Sequence, residues 1–123
     1  GVESLLFFGQ RSCDGMRARV GDTYAGILNF AYGVSETYPP YLNIVHAAAD
    51  KGRALQVVCD YVGVPVSEAM AIGDAAPDLP MMRAAGIGMA MGNAPDDVKA
   101  QADVVGPSNL DDGVAWAIRE FTL

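Results

Sequence analysis

The chain is short of the residues that build metal cages and nucleic-acid faces. It has only two cysteines, Cys13 and Cys59, and one histidine, His46. The cysteines fall in no Cys-x-x-Cys or other metal-ligand spacing, which argues against zinc. Basic residues are few: eight Lys and Arg stand against fifteen Asp and Glu, for a net charge of -7. Nucleic-acid phosphates want a basic face, so no nucleic-acid partner is expected. The longest apolar run falls far short of the ~20 residues a membrane span needs, so no membrane partner is expected. Gly1-Val2-Glu3-Ser4 lacks the basic start of a secretion signal. A reduced, cytoplasmic setting is the expectation.

What is present is enough for one compact domain: 123 residues, 51% hydrophobic. The pattern changes midway. Up to about His46 the signals are mostly strand. "SLLFF" (4–8) is a short apolar run, "AGILNFAYGV" (25–34) mixes apolar and aromatic residues, and "YLNIV" (41–45) alternates after Pro39-Pro40. Between the first two, Met16 to Val20 reads as a short helix bracketed by Gly15 and Gly21.

From Ala47 onward, helix and strand signals alternate. "KGRALQVVCDYVG" (51–63) puts Ala54, Leu55, Val58, Cys59 and Val62 on one helical face, with Asp50 as N-cap and Gly63 after the last turn. "AMAIG" (69–73) is a short buried strand, "DLPMMRAAG" (78–86) a helix with Pro80 in its first turn, and "IGMAM" (87–91) a strand. A helix from Pro95 to Ala102, a strand at 103–106 and an amphipathic helix over 111–121 complete the pattern. Such alternation predicts an α/β fold with a parallel sheet.

Chemistry in open α/β sheets collects beyond the carboxyl ends of strands. Asp74 directly follows "AMAIG", and Asp78 comes four residues later. Two neighbouring carboxylates repel, so a proton or a cation is expected between them. Hard oxygen ligands favour Mg²⁺. The plainer alternative makes Asp78 an N-cap and Asp74 a turn residue. Lys51 opens a helix, where the dipole disfavours a cation unless an anion binds beside it. Its plainer alternative is a lysine pointing to solvent. Asn93 begins the turn towards Pro95; it caps the next helix, the simpler reading, or faces the site. Gly86-Ile87-Gly88 with Gly92 misses the G-x-G-x-x-G spacing, so no dinucleotide loop is read there.

Together, "DKGRALQVVCDYVGV", "AMAIGDAAPDLPMMRAAGIGMAMGNAPDDVKAQADVV" and "DDGVAWAI" resemble the C-terminal part of a haloacid dehalogenase (HAD) superfamily phosphatase of the Cof type. The resemblance runs over roughly residues 41 to 118. It implies a Rossmann-like parallel sheet, the C-terminal half of the HAD core, over 48–123. Residues 1–47 would be a partial α+β cap domain. It implies a Mg²⁺-dependent phosphatase of small phosphorylated metabolites. Lys51 matches the catalytic lysine that holds the phosphoryl group and the nucleophile. Asp74 matches the acid that binds Mg²⁺ directly, and Asp78 the second acid that supports the metal. Asn93 is placed with the substrate-binding residues.

The sequence departs from the family twice. Family members have Asn before the second acid; here Pro77 cannot donate any hydrogen bond. The family's reaction also needs an Asp-x-Asp pair after an N-terminal strand, with the first Asp as nucleophile. The nearest string, "SCDGM" (12–16), has Ser12 in that place and no buried strand before it. The expectation is therefore a fragment, covering the second halves of cap and core, inactive by itself. The strand at 69–73 would then have an open edge and favour self-association. A non-catalytic phosphate- or metal-binding module is the alternative. A phospho-receiver domain fits poorly, since its acids come early and its lysine late.

Overall fold

In the computed structural model of the chain, residues 4–34 and 39–121 are described. They form two compact units, Gly1–Ala49 and Asp50–Leu123.

The first unit is a three-stranded antiparallel sheet with one helix. β1 (Ser4–Phe8) and β2 (Leu28–Gly33) flank β3 (Tyr41–His46), so the strand order is β1-β3-β2. Strand alternation sends Leu42 and Ile44 of β3 to one face, opposite Phe7 and Phe30. Helix α1 (Gln10–Val20) covers that face and buries Cys13 among these side chains. The expected helix at Met16–Val20 thus begins six residues earlier. Gly9, at φ 86°, provides the turn into it, and Gly15 lies inside the helix instead of before it.

The second unit is the expected α/β fold. β4 (Met70–Gly73), β5 (Ile87–Ala90) and β6 (Val104–Val105) pair in parallel in the order β4-β5-β6. Both faces of this sheet are covered, which is why the strands read as short apolar runs. Ala71 and Ala90 pack with Met82 and Val98, towards helices α2 (Lys51–Val62), α3 (Leu79–Ala84) and α4 (Asp96–Lys99). Met89 and Met91 point the other way, onto Ala117 of α5 (Gly113–Phe121). The small residues of β4 and β5 let α3 lie close: a Cβ on Gly88 would overlap the Met82 carbonyl. α4 is shorter than the expected 95–102.

Helix α2 has the expected ends. The Asp50 carboxylate accepts the Arg53 N–H at 2.9 Å, and Gly63 closes the helix at φ 74°. Its face differs from the expected one. Gly52, Leu55 and Cys59 turn inward, whereas Ala54, Val58 and Val62 are exposed. No helix among the described residues is long and apolar enough to cross a membrane.

Candidate functional site

Register brings the site together. Gly73 of β4 lies opposite Ala90 of β5, which lies opposite Val105 of β6. Three loops therefore leave the carboxyl edge of the sheet at one level: Asp74–Asp78, Met91–Asn93 and Gly106–Asn109. Main-chain bonds extend the ladder just past the strands, from Met91 N–H to the Gly73 carbonyl and from Gly106 N–H to the Ala90 carbonyl, each at 2.9 Å.

Asp78 is the buried member, 6% exposed. One carboxylate oxygen, Oδ1, accepts from the Lys51 ammonium. The other, Oδ2, accepts the backbone N–H groups of Asp74 and Ala75, both at 3.1 Å. Asp78 stands at the N-cap position of α3, as one reading expected, but its side chain makes no cap bond there and folds back on its own loop. Burial alone would raise its pKa. The Lys51 hydrogen bond, the Asp74 N–H, the Lys51 charge and the Ala75 N–H outweigh burial and hold it below the ordinary carboxylate value.

Two glycines permit this contact, and neither was singled out from the sequence. A Cβ on Gly73 would overlap the Asp78 side chain. A Cβ on Gly52 would stand 2.7 Å from the Pro80 carbonyl, so this glycine allows the start of α2 to reach the start of α3. Lys51 is thereby set over Asp78 with its side chain still 56% exposed. It is neither a free surface lysine nor a sealed ion pair, since it holds Asp78 while more than half of its side chain stays in solvent.

Asp74 is exposed at the sheet edge. Its Oδ2 accepts from Asn93 Nδ2 at 3.2 Å, and Asn93 Oδ1 accepts the Asn109 N–H at 3.0 Å. The capping reading of Asn93 is corrected by this geometry. Pro95 is the N-cap of α4 and has no side-chain group to cap it, while the Asn93 amide is turned to Asp74 and to the Asn109 N–H. Asn109 had no signal in the sequence; only tertiary pairing reveals it. His46, in the first unit, accepts the Ala48 N–H on Nδ1 at 3.0 Å.

The structure thus brings Lys51, Asp74, Asp78 and Asn93 to one edge. The donor chemistry is hard oxygen, which suits a cation of the Mg²⁺ type that takes one or two carboxylates and keeps several waters. No group of three or more His, Cys, Asp or Glu side chains that could cage a metal occurs among the described residues. Lys51 and Asp74 are exposed, and Asp78 is buried beneath them. A hollow of about 370 Å³ lined by Met91, Asn109, Gly113 and Val114 touches none of Lys51, Asp74 and Asp78.

A parallel sheet with two acids and a lysine at its carboxyl edge places this chain among the open α/β proteins, whose chemistry collects beyond the strand ends. The particular family follows from comparison. The chain belongs to the haloacid dehalogenase-like hydrolases, whose family pattern matches residues 6–118. It is 38% identical over 90 residues to the 5-amino-6-(5-phospho-D-ribitylamino)uracil phosphatase YcsE of Bacillus subtilis, covering 73% of this chain and 36% of that protein. It is 31% identical over 117 residues to YitU of the same organism, a phosphatase of the same name, covering 95% and 43%. A HAD-superfamily phosphatase from Bacteroides thetaiotaomicron superposes with a TM-score of 0.79 at 33% identity, over 97% of this chain and 41% of that one. The chain spans well under half the length of these relatives.

Proposed function

We propose that this chain is the metal- and phosphate-binding half of a Mg²⁺-dependent phosphatase of small phosphorylated metabolites. The supporting observation is the meeting of Lys51, Asp74 and Asp78 at the carboxyl edge of the parallel sheet. Lys51 offers its ammonium to a phosphoryl oxygen. Asp78 stays ionised and holds that ammonium in place. Asp74 would be the direct ligand of Mg²⁺, with Asp78 behind it; the ion, when bound, supplies charge neutralisation at the phosphoryl oxygens. Asn93 keeps a second N–H for substrate. The relatives YcsE and YitU are named for one small phosphate ester, which supports that substrate class.

In this reading Gly1–Ala49 is the second half of a cap domain and Asp50–Leu123 the second half of the core. The sequence contains no Asp-x-Asp pair. The 123-residue chain is therefore expected to show negligible turnover of p-nitrophenyl phosphate with Mg²⁺. Turnover abolished by Asp74→Ala would disprove the fragment reading. The alternative, a non-catalytic binding module, draws its support from the same missing pair and from Pro77, which has no N–H to give a phosphate.

An NMR titration with MgCl₂ and inorganic phosphate tests the binding site itself. Shifts are expected at Lys51, Asp74 and Asp78, and the Mg²⁺ response should vanish in Asp74→Ala. A titration that moves none of the three removes the basis of the assignment.

A further inference from the structure

We propose that Asn93 is a positioning residue: it orients the Asp74 carboxylate and is itself oriented by the Pro107–Asp111 turn. The inference rests on the reading of Asp74 as the cation ligand, and the experiment below separates the two.

A side-chain amide has a polarity, with an acceptor at one end and a donor at the other. The Asn109 N–H engages Asn93 Oδ1, which leaves Nδ2 to face Asp74 Oδ2. The reversed amide would set an oxygen against the carboxylate and an N–H against an N–H. Among the described residues Asn93 is the one side chain that donates to Asp74. Among the described residues no side chain donates to Asp74 Oδ1, which leaves that oxygen available to a ligand.

The anchor is tied down independently of Asp74. The Gly92 N–H donates to the Pro107 carbonyl at 3.0 Å. A Cβ on Gly92 would stand 2.8 Å from Ser108 N, so only glycine lets the two segments lie this close. Within the turn, the Ser108 hydroxyl oxygen accepts the Leu110 N–H at 3.2 Å and its proton goes to Asp111. The orientation of Asp74 is thus passed along one chain of contacts, from the turn after β6, through Asn93, to the loop after β4. Partners that orient a metal ligand typically change metal affinity by about 10- to 100-fold when removed.

Mn²⁺ alone, with the 123-residue chain, is the probe. Its dissociation constant and the Asp74 χ1 rotamer, from NMR couplings, are read in three chains: the native one, Asn93→Ala and Asn109→Pro. Asn109 opens a single 3₁₀ turn and Ser108 before it is extended, at φ -73° and ψ 170°. Proline therefore fits there; it removes the N–H that Asn93 accepts, together with the Asn109 side chain, which makes no hydrogen bond to Asn93 or Asp74 among the described residues. Asn93→Ala is expected to weaken Mn²⁺ about 10-fold and to set Asp74 averaging over rotamers. Asn109→Pro should act in the same direction with Asn93 still present, and it carries the test if Asn93→Ala does not fold. Native Mn²⁺ affinity in the folded variants overturns the proposal. So does weaker binding with the Asp74 rotamer unchanged, since Asn93 would then be a ligand and not a positioner. If no chain binds Mn²⁺ while the variants still release the rotamer, the cation reading fails and the positioning role stands.

Discussion

Asp78 carries two duties on two oxygens. Oδ1 fastens Lys51; Oδ2 gathers the N–H groups of Asp74 and Ala75 into a tight loop. Its pKa lies below that of a free aspartate, about 3.9. The folded chain therefore binds fewer protons at this group than the unfolded chain. The stability this gives is fully present above about pH 4 and is lost as pH falls through the lower, folded-state pKa. Urea unfolding at pH 5 and pH 3 should show the native chain losing stability on acidification. Asp78→Asn should lose about 1–3 kcal/mol at pH 5, with a smaller further loss at pH 3. Equal losses in both chains would remove Asp78 from the acid response. The lysine side chain is more than half exposed, so solvent screening reduces what its charge adds to stability.

Glycine has opposite meanings in two helices, and the difference decides where the site can form. In α1, Gly15 has open space where a Cβ would go. In α2, Gly52 faces the Pro80 carbonyl at 2.7 Å. Alanine is favoured over glycine in a helix by about 0.5–1 kcal/mol. Gly15→Ala should therefore stabilise the chain by up to about 1 kcal/mol. Gly52→Ala should destabilise it by about 1–3 kcal/mol, since the added methyl pushes α2 off α3. It should also draw Lys51 away from Asp78. Denaturant midpoints of the two variants check the signs; stabilisation by both would mean that α2 and α3 are not in tight contact. The helical period of α2 was legible, and so were its caps. Which side of it meets a neighbour was not: the period groups Val58 and Val62 with Cys59, but the close approach at Gly52 turns the helix so that the valines face solvent.

For the whole molecule, the parallel sheet ends at β4, which pairs only with β5 among the described strands. Its other edge has no strand partner among the described residues, and such an edge is a template for pairing with another chain. Apolar side chains are exposed elsewhere on the same unit, Tyr61 at 90% and Val57 at 66% among them. The chain is expected to self-associate through that edge, seen as apparent mass rising with concentration in sedimentation or size-exclusion measurements. A compact monomer across a wide concentration range would refute this.

The sequence alone determined the order of helices and strands from 51 to 121 and the caps of α2, and it singled out Lys51, Asp74 and Asp78 as candidates. These depend on local period, on turn chemistry and on a spacing shared with a family. It read Asn93 mainly as a cap and passed over Gly52, Gly73 and Asn109, because their partners lie 16 to 28 residues away or across the loop, in contacts no local pattern encodes. Only the tertiary structure decided that Asp78 faces Lys51, that Asn93 turns to Asp74, and that three loops meet at one edge. The reason is physical: a residue's neighbours along the chain set its backbone, but strand register and helix approach set what its side chain can reach.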